Sequence, residues 1–197
     1  MRSRLSSEAM DQLFLAARSH TKWQPREVPD SLLRELVDVM KMAPTSANCS
    51  PARLVFVKSA AAKGVLKPYL SHTNLIQTMA APVTCIVGYD RKFYDHLSKL
   101  YPYAPNAKSW FTTSEVHAEQ TAFRNGTLQG GYLLLAARAL GLDAGAMSGF
   151  DNAGIDGTFF AGTSYKSNFL INIGYGDPAG ILPRSPRFSF DDMAQII

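Results

Sequence analysis

The chain reads as one domain built from both helices and strands, and three observations carry that reading. Its 197 residues are 46% apolar and 18% charged, a balance that fills a core and calls for no second domain. Short runs rich in β-branched residues, LVFVK at 54–58, VTCIVGY at 83–89 and NFLINIGY at 168–175, alternate with segments whose apolar residues recur at helical spacing. Residues 114–141 contain no proline, open on a capping Ser114 followed by Glu115 and Glu119, and end at Gly141, where a left-handed C-cap belongs. A helix of that length spans roughly 40 Å, the width of a small domain. From Leu128 to Leu142 nearly every side of it is apolar, broken by Gln129 and Arg138. A helix apolar all round must be covered all round, and in a chain this short the expected cover includes a second copy of the protein.

The other elements follow in order. Residues 7–19 form an amphipathic helix with Leu13, Phe14 and Ala17 on one face, and 30–42 a second helix capped by Asp30, with Leu32, Leu33, Leu36, Val39 and Met40 at helical spacing. The second helix stops at Pro44, and the APTSANCSP loop leads into the strand at 54–58. Helices are expected at 60–70, with a break at Pro68, and at 71–79; a central strand at 83–89; a helix at 91–99; and an ordered aromatic loop at 100–113. After the long helix come the extended run LDAGAMSG, a short helix at 152–160, the strand at 168–175, a proline-rich arm and a terminal helix at 190–197.

Composition excludes several classes. A net charge of +4 from scattered basic residues does not fit a nucleic-acid binder, although it favours a phosphate or carboxylate ligand. Two cysteines, Cys49 and Cys85, have neither zinc nor disulfide spacing, which points to a reducing compartment. The N-terminus lacks the apolar core and cleavage site of a signal peptide, and Arg138 interrupts the best candidate for a membrane span, so a cytoplasmic protein is expected. GYGDPAG at 174–180 has GxGxxxG spacing and runs into proline-rich coil, so it is no dinucleotide fingerprint. His20, His72, His96 and His117 stand far apart, no metal site is expected, and GAMSG is not a nucleophile elbow. Cys49 has no basic neighbour in sequence before Arg53, so an inert or merely lining thiol is expected. No catalytic side chain is therefore assigned, and chemistry without a protein nucleophile points to a cofactor.

Three polar or basic loops remain. Arg18, Ser19, His20, Thr21 and Lys22 at the end of the first helix serve equally as cations against a helix dipole or as a phosphate clamp. The loop at 44–48 is longer and richer in hydrogen-bonding groups than a plain turn needs, and can line the polar edge of an aromatic ring. The arm at 183–187 is basic. Beside them stand Asn74 and the backbone donors of Met147, Ser148 and Gly149.

RSHTK, APTSANCSPARLVFV, ALGLDAGAMSGFD, FLINIGYGDP and PRSPR stand in the order and spacing of the nitroreductase family of FMN-dependent oxidoreductases, which the chain resembles over nearly its whole length. TSANCSPAR, SWFTTS, QTAFRN, MSGFD and KSNFLINIGYGD make it most similar to the compact malonic semialdehyde reductases of pyrimidine degradation. The resemblance implies an α+β fold with a mixed central β-sheet flanked by helices, and an intertwined homodimer with FMN at the interface. It implies that Arg18, Ser19, His20 and Lys22 meet the FMN phosphate and ribityl chain, with Arg184 and Arg187 completing the clamp. Pro44, Thr45, Ser46 and Asn48 would line the isoalloxazine or its tail, partly from the partner subunit; Asn74 would contact the ring edge; Met147, Ser148 and Gly149 would lie against the ring.

Two positions depart from the family pattern. His20 stands where many members have Ser, which alters the phosphate contact, and Ala52 and Arg53 follow Pro51 where many members have an aromatic residue, which points to an anionic substrate. The implied activity is ping-pong reduction of malonic semialdehyde to 3-hydroxypropanoate with NADPH or NADH as reductant, and Arg53 or Arg124 pairs with the substrate carboxylate; for Arg124 a helix-surface ion pair is the plainer reading. The alternatives are a broad nitroaromatic or quinone reductase on the same scaffold and, further off, a non-enzymatic flavin-binding or interaction module.

Overall fold

The structure, a computed structural model, describes residues 3–197. Four strands form one sheet in the order β1-β2-β4-β3: β1 Ala52–Val57, β2 Val83–Asp90, β3 Asp143–Met147 and β4 Tyr165–Gly174. Every strand pair is antiparallel, where the family resemblance implies a mixed sheet. Among the described residues the one parallel contact is an isolated bridge between Ser19 and Ala144 at the β3 edge.

The helices are α1 Ser7–Met10, continuing as a π-turn over Asp11–Leu15; α2 Asp30–Met40; α3 Ala60–Leu66; α4 His72–Ala80; α5 Leu97–Leu100; α6 Ser109–Thr112; α7 Glu115–Ala139; α8 Asn152–Phe159; and α9 Phe190–Met193. Period-two alternation sorts the sheet residues between two layers. Val83, Cys85, Val87, Ile171 and Ile173 pack with Leu36 of α2 and Leu133 of α7. Ile86 and Leu170 face the other way, onto Leu66 of α3 and Ile155 of α8. A third cluster, with Phe93, Leu97, Phe111 and Cys49, closes the end of the sheet near the start of α7.

The long helix starts and stops as its sequence dictates. Ser114 accepts from the His117 N–H, and Gly141 takes φ +75 just beyond the C-cap. Within this one chain its covering is incomplete: Val116, Phe123, Leu128 and Tyr132 remain exposed on one side. Three smaller expectations are corrected. The first helix ends at Leu15 and leaves Phe14 46% exposed. Asp30 sits one residue inside its helix and pairs with Lys58, the cap position being Pro29. Residues 91–99 form a 3-10 turn and the single turn of α5, because Phe93 is turned inward edge-on against Phe111.

A lysine lies inside this frame without a carboxylate partner among the described residues. Lys63 is 4% exposed, and its ammonium donates to the Thr78 carbonyl and to Thr84 Oγ1, both at 2.6 Å. Thr84 donates on to Asn172 Oδ1, Asn172 Nδ2 to Thr78 Oγ1, and Thr78 to the sulfur of Met147. No carboxylate joins the chain, and burial lowers the Lys63 pKa from 10.5 to about 8. The unfolded chain then binds more protons than the folded one between about pH 8 and pH 10.5, so this residue adds stability as pH rises through that window. The full effect is up to about 3 kcal/mol. Chemical denaturation of wild type and Lys63→Met at stepped pH is expected to show their difference in stability changing across pH 8–10.5; a pH-independent difference would mean that Lys63 stays charged and hydrated.

Candidate active site

Arginines from both ends of the chain meet at one cleft. Arg18, Arg138, Arg184 and Arg187, with Ser19, Thr21 and Ser185, line a space of about 510 Å³. Arg18 donates to the Leu182 carbonyl of the C-terminal arm. Arg184 answers from that arm, donating to the Leu15 and Ala17 carbonyls at 2.6 and 3.0 Å. Arg138 donates to the Leu13 carbonyl at 2.9 Å, and Arg187 to the carbonyls of its own turn. No carboxylate is among the residues lining this space, and the hydrogen bonds of the guanidiniums go to carbonyls; Asp143 lies in an adjoining space that Arg18 and Arg138 also line.

Two members of the expected clamp are placed elsewhere. His20 is buried, its Nε2 3.3 Å from Asp143 Oδ1, and Gly176 passes so close that a Cβ there would stand 1.9 Å from its Nδ1. Ser19 and Thr21 line the cleft beside Arg18, while His20 is turned inward against Asp143 and Gly176 and is not among the residues that line it. Lys22 is exposed and lies over Gly180, outside the cleft lining.

The loop after α2 is pinned to the middle of α7. Asn125 Oδ1 accepts the Ser46 N–H and Gln129 Oε1 the Ala52 N–H, both at 2.9 Å, and Asn48 donates to the Leu100 carbonyl. Thr45 Oγ1 accepts the Ser50 N–H. Ala47, Asn48 and Ser50 have φ of 49, 49 and 37, left-handed values that cost a non-glycine residue about 1 kcal/mol or more each. The loop thus presents Pro44, Ser46 and Asn48 to solvent in a fixed, strained form, with Thr45 half-buried. Cys49 beneath it is buried and its thiol is pushed up to about 11 by burial, so it is no nucleophile.

Asn74 and the segment after β3 stand in direct contact. Asn74 Nδ2 donates to the Gly149 carbonyl at 3.0 Å, and that carbonyl also accepts the Ser71 N–H. A Cβ on residue 149 would stand 2.6 Å from Asn74 Nδ2 and 2.7 Å from Ser71 Oγ, so a larger residue would displace one of these side chains. The Gly149 N–H has no acceptor among the described residues, and Met147 leads into the segment from the sheet.

The two substrate-carboxylate candidates part company. Arg53 is committed: Nη2 lies 2.7 Å from Oδ2 of Asp90, whose side chain is 3% exposed, and Nη1 serves the Ser50 and Ala52 carbonyls. Asp90 also accepts from Ser164 and from the Lys92 N–H. A buried carboxylate needs its counter-ion, so Arg53 is withdrawn from substrate binding. Arg124 is exposed beside Gln120, Phe123 and Thr127 and has no ion-pair partner among the described residues; Glu119 is taken by Arg91 and the Tyr89 hydroxyl.

Sequence reasoning missed Asn125, Gln129 and Arg138 as builders of the site. Each is a polar residue within a mostly apolar helix, a signal that was present. Among the described residues no three or more His, Cys, Asp or Glu gather as metal ligands, and no helix is long and apolar enough to cross a membrane.

Comparison with known proteins places this geometry. Residues 15–175 match the model of the nitroreductase family. A protein of Burkholderia lata, provisionally named as an NADH dehydrogenase/NAD(P)H nitroreductase, is 63% identical over 192 residues, covering 98% of each chain. One of the same name from Cupriavidus pinatubonensis is 55% identical over 193 residues, covering 97% of this chain and 98% of its own. Among solved structures, a provisionally named nitroreductase in complex with FMN from Exiguobacterium sibiricum superposes with TM-score 0.88 at 20% identity, both chains fully covered. A provisionally named NAD(P)H:FMN oxidoreductase from Staphylococcus epidermidis gives 0.83 at 20% identity, covering 100% of this chain and 98% of its own. The class is therefore the nitroreductase-like α+β fold. The chain itself belongs to the nitroreductase family.

The Arg53–Asp90 pair makes a direct prediction. Arg53→Ala leaves a buried carboxylate without its cation and is expected to cost about 3–5 kcal/mol in urea unfolding. Unchanged stability together with a raised KM for a carboxylate-bearing aldehyde would return Arg53 to the substrate site.

Proposed function

We propose that this protein is an FMN-dependent NAD(P)H oxidoreductase, a single domain over residues 1–197 that works in the cytoplasm as a homodimer with FMN at the interface, and that it reduces malonic semialdehyde to 3-hydroxypropanoate. The observation that carries the flavin reading is the arginine cleft. Several guanidiniums gathered without a carboxylate fit a dianionic phosphate, which supplies acceptors and countercharge together. Arg18, Ser19, Arg184 and Arg187 would hold the phosphate, with Lys22 nearer the ribityl chain; Pro44, Thr45, Ser46 and Asn48 would border the ring system, and Asn74 and Met147–Gly149 its reactive edge. When bound, FMN supplies two-electron chemistry, accepting hydride from NADPH or NADH and returning it to a substrate in alternation.

The chain's own residues bind and orient. The free Gly149 N–H offers a donor, and Asn74 and the Ser71 N–H hold the carbonyl of the same residue, which ties this segment to the start of α4. A second copy is supported by the exposed apolar side of α7 and by exposed Leu182, Phe188 and Phe190 on the arm. About 20 Å of helix axis separates Asn125, which pins the ring-side loop, from Arg138 at the phosphate cleft. Loop and cleft from one chain would therefore join one flavin less readily than loop and cleft from two.

Malonic semialdehyde is supported by the family resemblance and by Arg124, an unpaired cation on the exposed side of α7. With Arg53 committed to Asp90, a broad nitroaromatic or quinone reductase remains the second reading, and it matches the names of the 63% and 55% identical relatives.

The purified protein is expected to be yellow, to sediment as two chains and to bleach anaerobically on NADPH; a colourless protein that takes up no FMN refutes the flavin reading. For the substrate, kcat/KM for malonic semialdehyde should exceed that for a nitrofuran. Arg124→Ala should raise KM for this aldehyde about ten-fold, the worth of one charged hydrogen bond, and leave KM for an uncharged aldehyde unaltered. Equal effects on both aldehydes would remove Arg124 from carboxylate recognition.

A further inference from the structure

We infer that Arg138 is a phosphate-binding residue of the arginine cleft, and that the anion it helps to hold locks the C-terminal arm onto the N-terminal segment. Arg138 lies in the last turn of α7, where a cation ordinarily serves the helix dipole. Its contacts go further than that. The Arg138 carbonyl is already capped by Gln12 Nε2 at 2.6 Å, and its guanidinium reaches across to the Leu13 carbonyl and lines the cleft. Its Nε is buried and meets no acceptor. Leaving a charged donor buried and unpaired is costly. Burial, opposed by Asp143 and reinforced by the charge of Arg184, holds Arg138 below the usual guanidinium range. Asp143, the nearest carboxylate, is engaged by His20 at 3.3 Å and by the Gly176 N–H at 2.8 Å.

The cleft is also a reciprocal clasp. Arg18 of the N-terminal segment donates to Leu182 of the arm, and Arg184 of the arm donates to Leu15 and Ala17. The bonds that close the clasp bring like charges together around Arg138. A multivalent anion in the cleft removes that repulsion and brings countercharge and acceptors to the guanidiniums that line it. The phosphate of a flavin nucleotide and free inorganic phosphate share this chemistry. The inference rests on the flavin reading only for the source of the phosphate.

The test uses the full chain stripped of ligand, as wild type and Arg138→Met, which keeps an apolar stem. FMN and riboflavin are titrated by flavin fluorescence, and chymotryptic cleavage of the arm at Phe188 and Phe190 is followed with and without FMN or inorganic phosphate. Arg138→Met is expected to weaken FMN about ten-fold or more, to leave riboflavin affinity within about two-fold, and to lose the protection of the arm that the anion gives wild type. Equal losses for FMN and riboflavin, or no loss, overturn the inference. Should the wild type bind neither flavin while inorganic phosphate still protects the arm through Arg138, the inference stands and the flavin reading falls. If neither flavin nor phosphate acts on the wild type, both fall. If Arg138→Met does not fold, Arg138→Gln, which retains a donor for the Leu13 carbonyl, is read in the same way.

Discussion

The close approach of α7 to the sheet governs the rest of the molecule. It depends on two glycines in mid-helix, where each costs about 1 kcal/mol relative to alanine. A Cβ at Gly130 would stand 2.4 Å from Phe169 Cζ, and one at Gly126 2.8 Å from Tyr89 Cβ. With the helix that near, Asn125 and Gln129 are buried on the same side, and buried amides must find partners. They find the Ser46 and Ala52 N–H groups, so the packing of the helix fixes the shape of the loop. At its far end the same helix carries Arg138 to the Leu13 carbonyl. One rigid rod thus sets the places of both the strained loop and the arginine cleft.

Buried polarity falls into two kinds here, and the difference separates scaffold from candidate site. Asp90 is buried and held by the protein: Arg53, Ser164 and the Lys92 N–H bind its oxygens, and His96 Nε2 stands 3.6 Å away. The Lys63 chain is equally satisfied, and it ends on the sulfur of Met147, steadying the strand that delivers Ser148 and Gly149. The arginine cleft and the Gly149 N–H are open. Their donors exceed their acceptors, which is the condition of a surface prepared for an anion and for a hydrogen-bonding ring edge.

Much of this was legible in the sequence because local chemistry dictated it. The Ser114 cap, the Gly141 C-cap, the turn at Pro68 and the β-branched strands each follow from one or a few residues. Asn74 and Gly149 were named from the same kind of reading, and the structure joins them. What was illegible was direction and distance. An extended RSHTK does not say which of its residues face inward, so His20 was read as a ligand group until Asp143 took it. Arg53 and Asp90 are 37 residues apart and meet only because β1 pairs with β2 in a register that sets Ala52 opposite Tyr89. Arg138 was visible as a lone charge in an apolar run, yet its use depends on Leu13, 125 residues away. The sheet was expected to be mixed, and among the described residues the only parallel element is one bridge at its edge.

The uncovered side of α7 bears on which substrate the site selects. Phe123, Leu128 and Tyr132 are apolar and exposed there, and Arg124 stands among them without a counter-ion. Covering that side by a second chain would withdraw water from the guanidinium together with its apolar neighbours. Desolvation of a lone cation is heavily penalised unless an anion arrives with the cover. A neutral nitroaromatic leaves that penalty in place, whereas a substrate with its own carboxylate removes it on binding. On the proposed dimer, the apolar surface that would pair two chains would therefore also favour the proposed acidic substrate at their boundary.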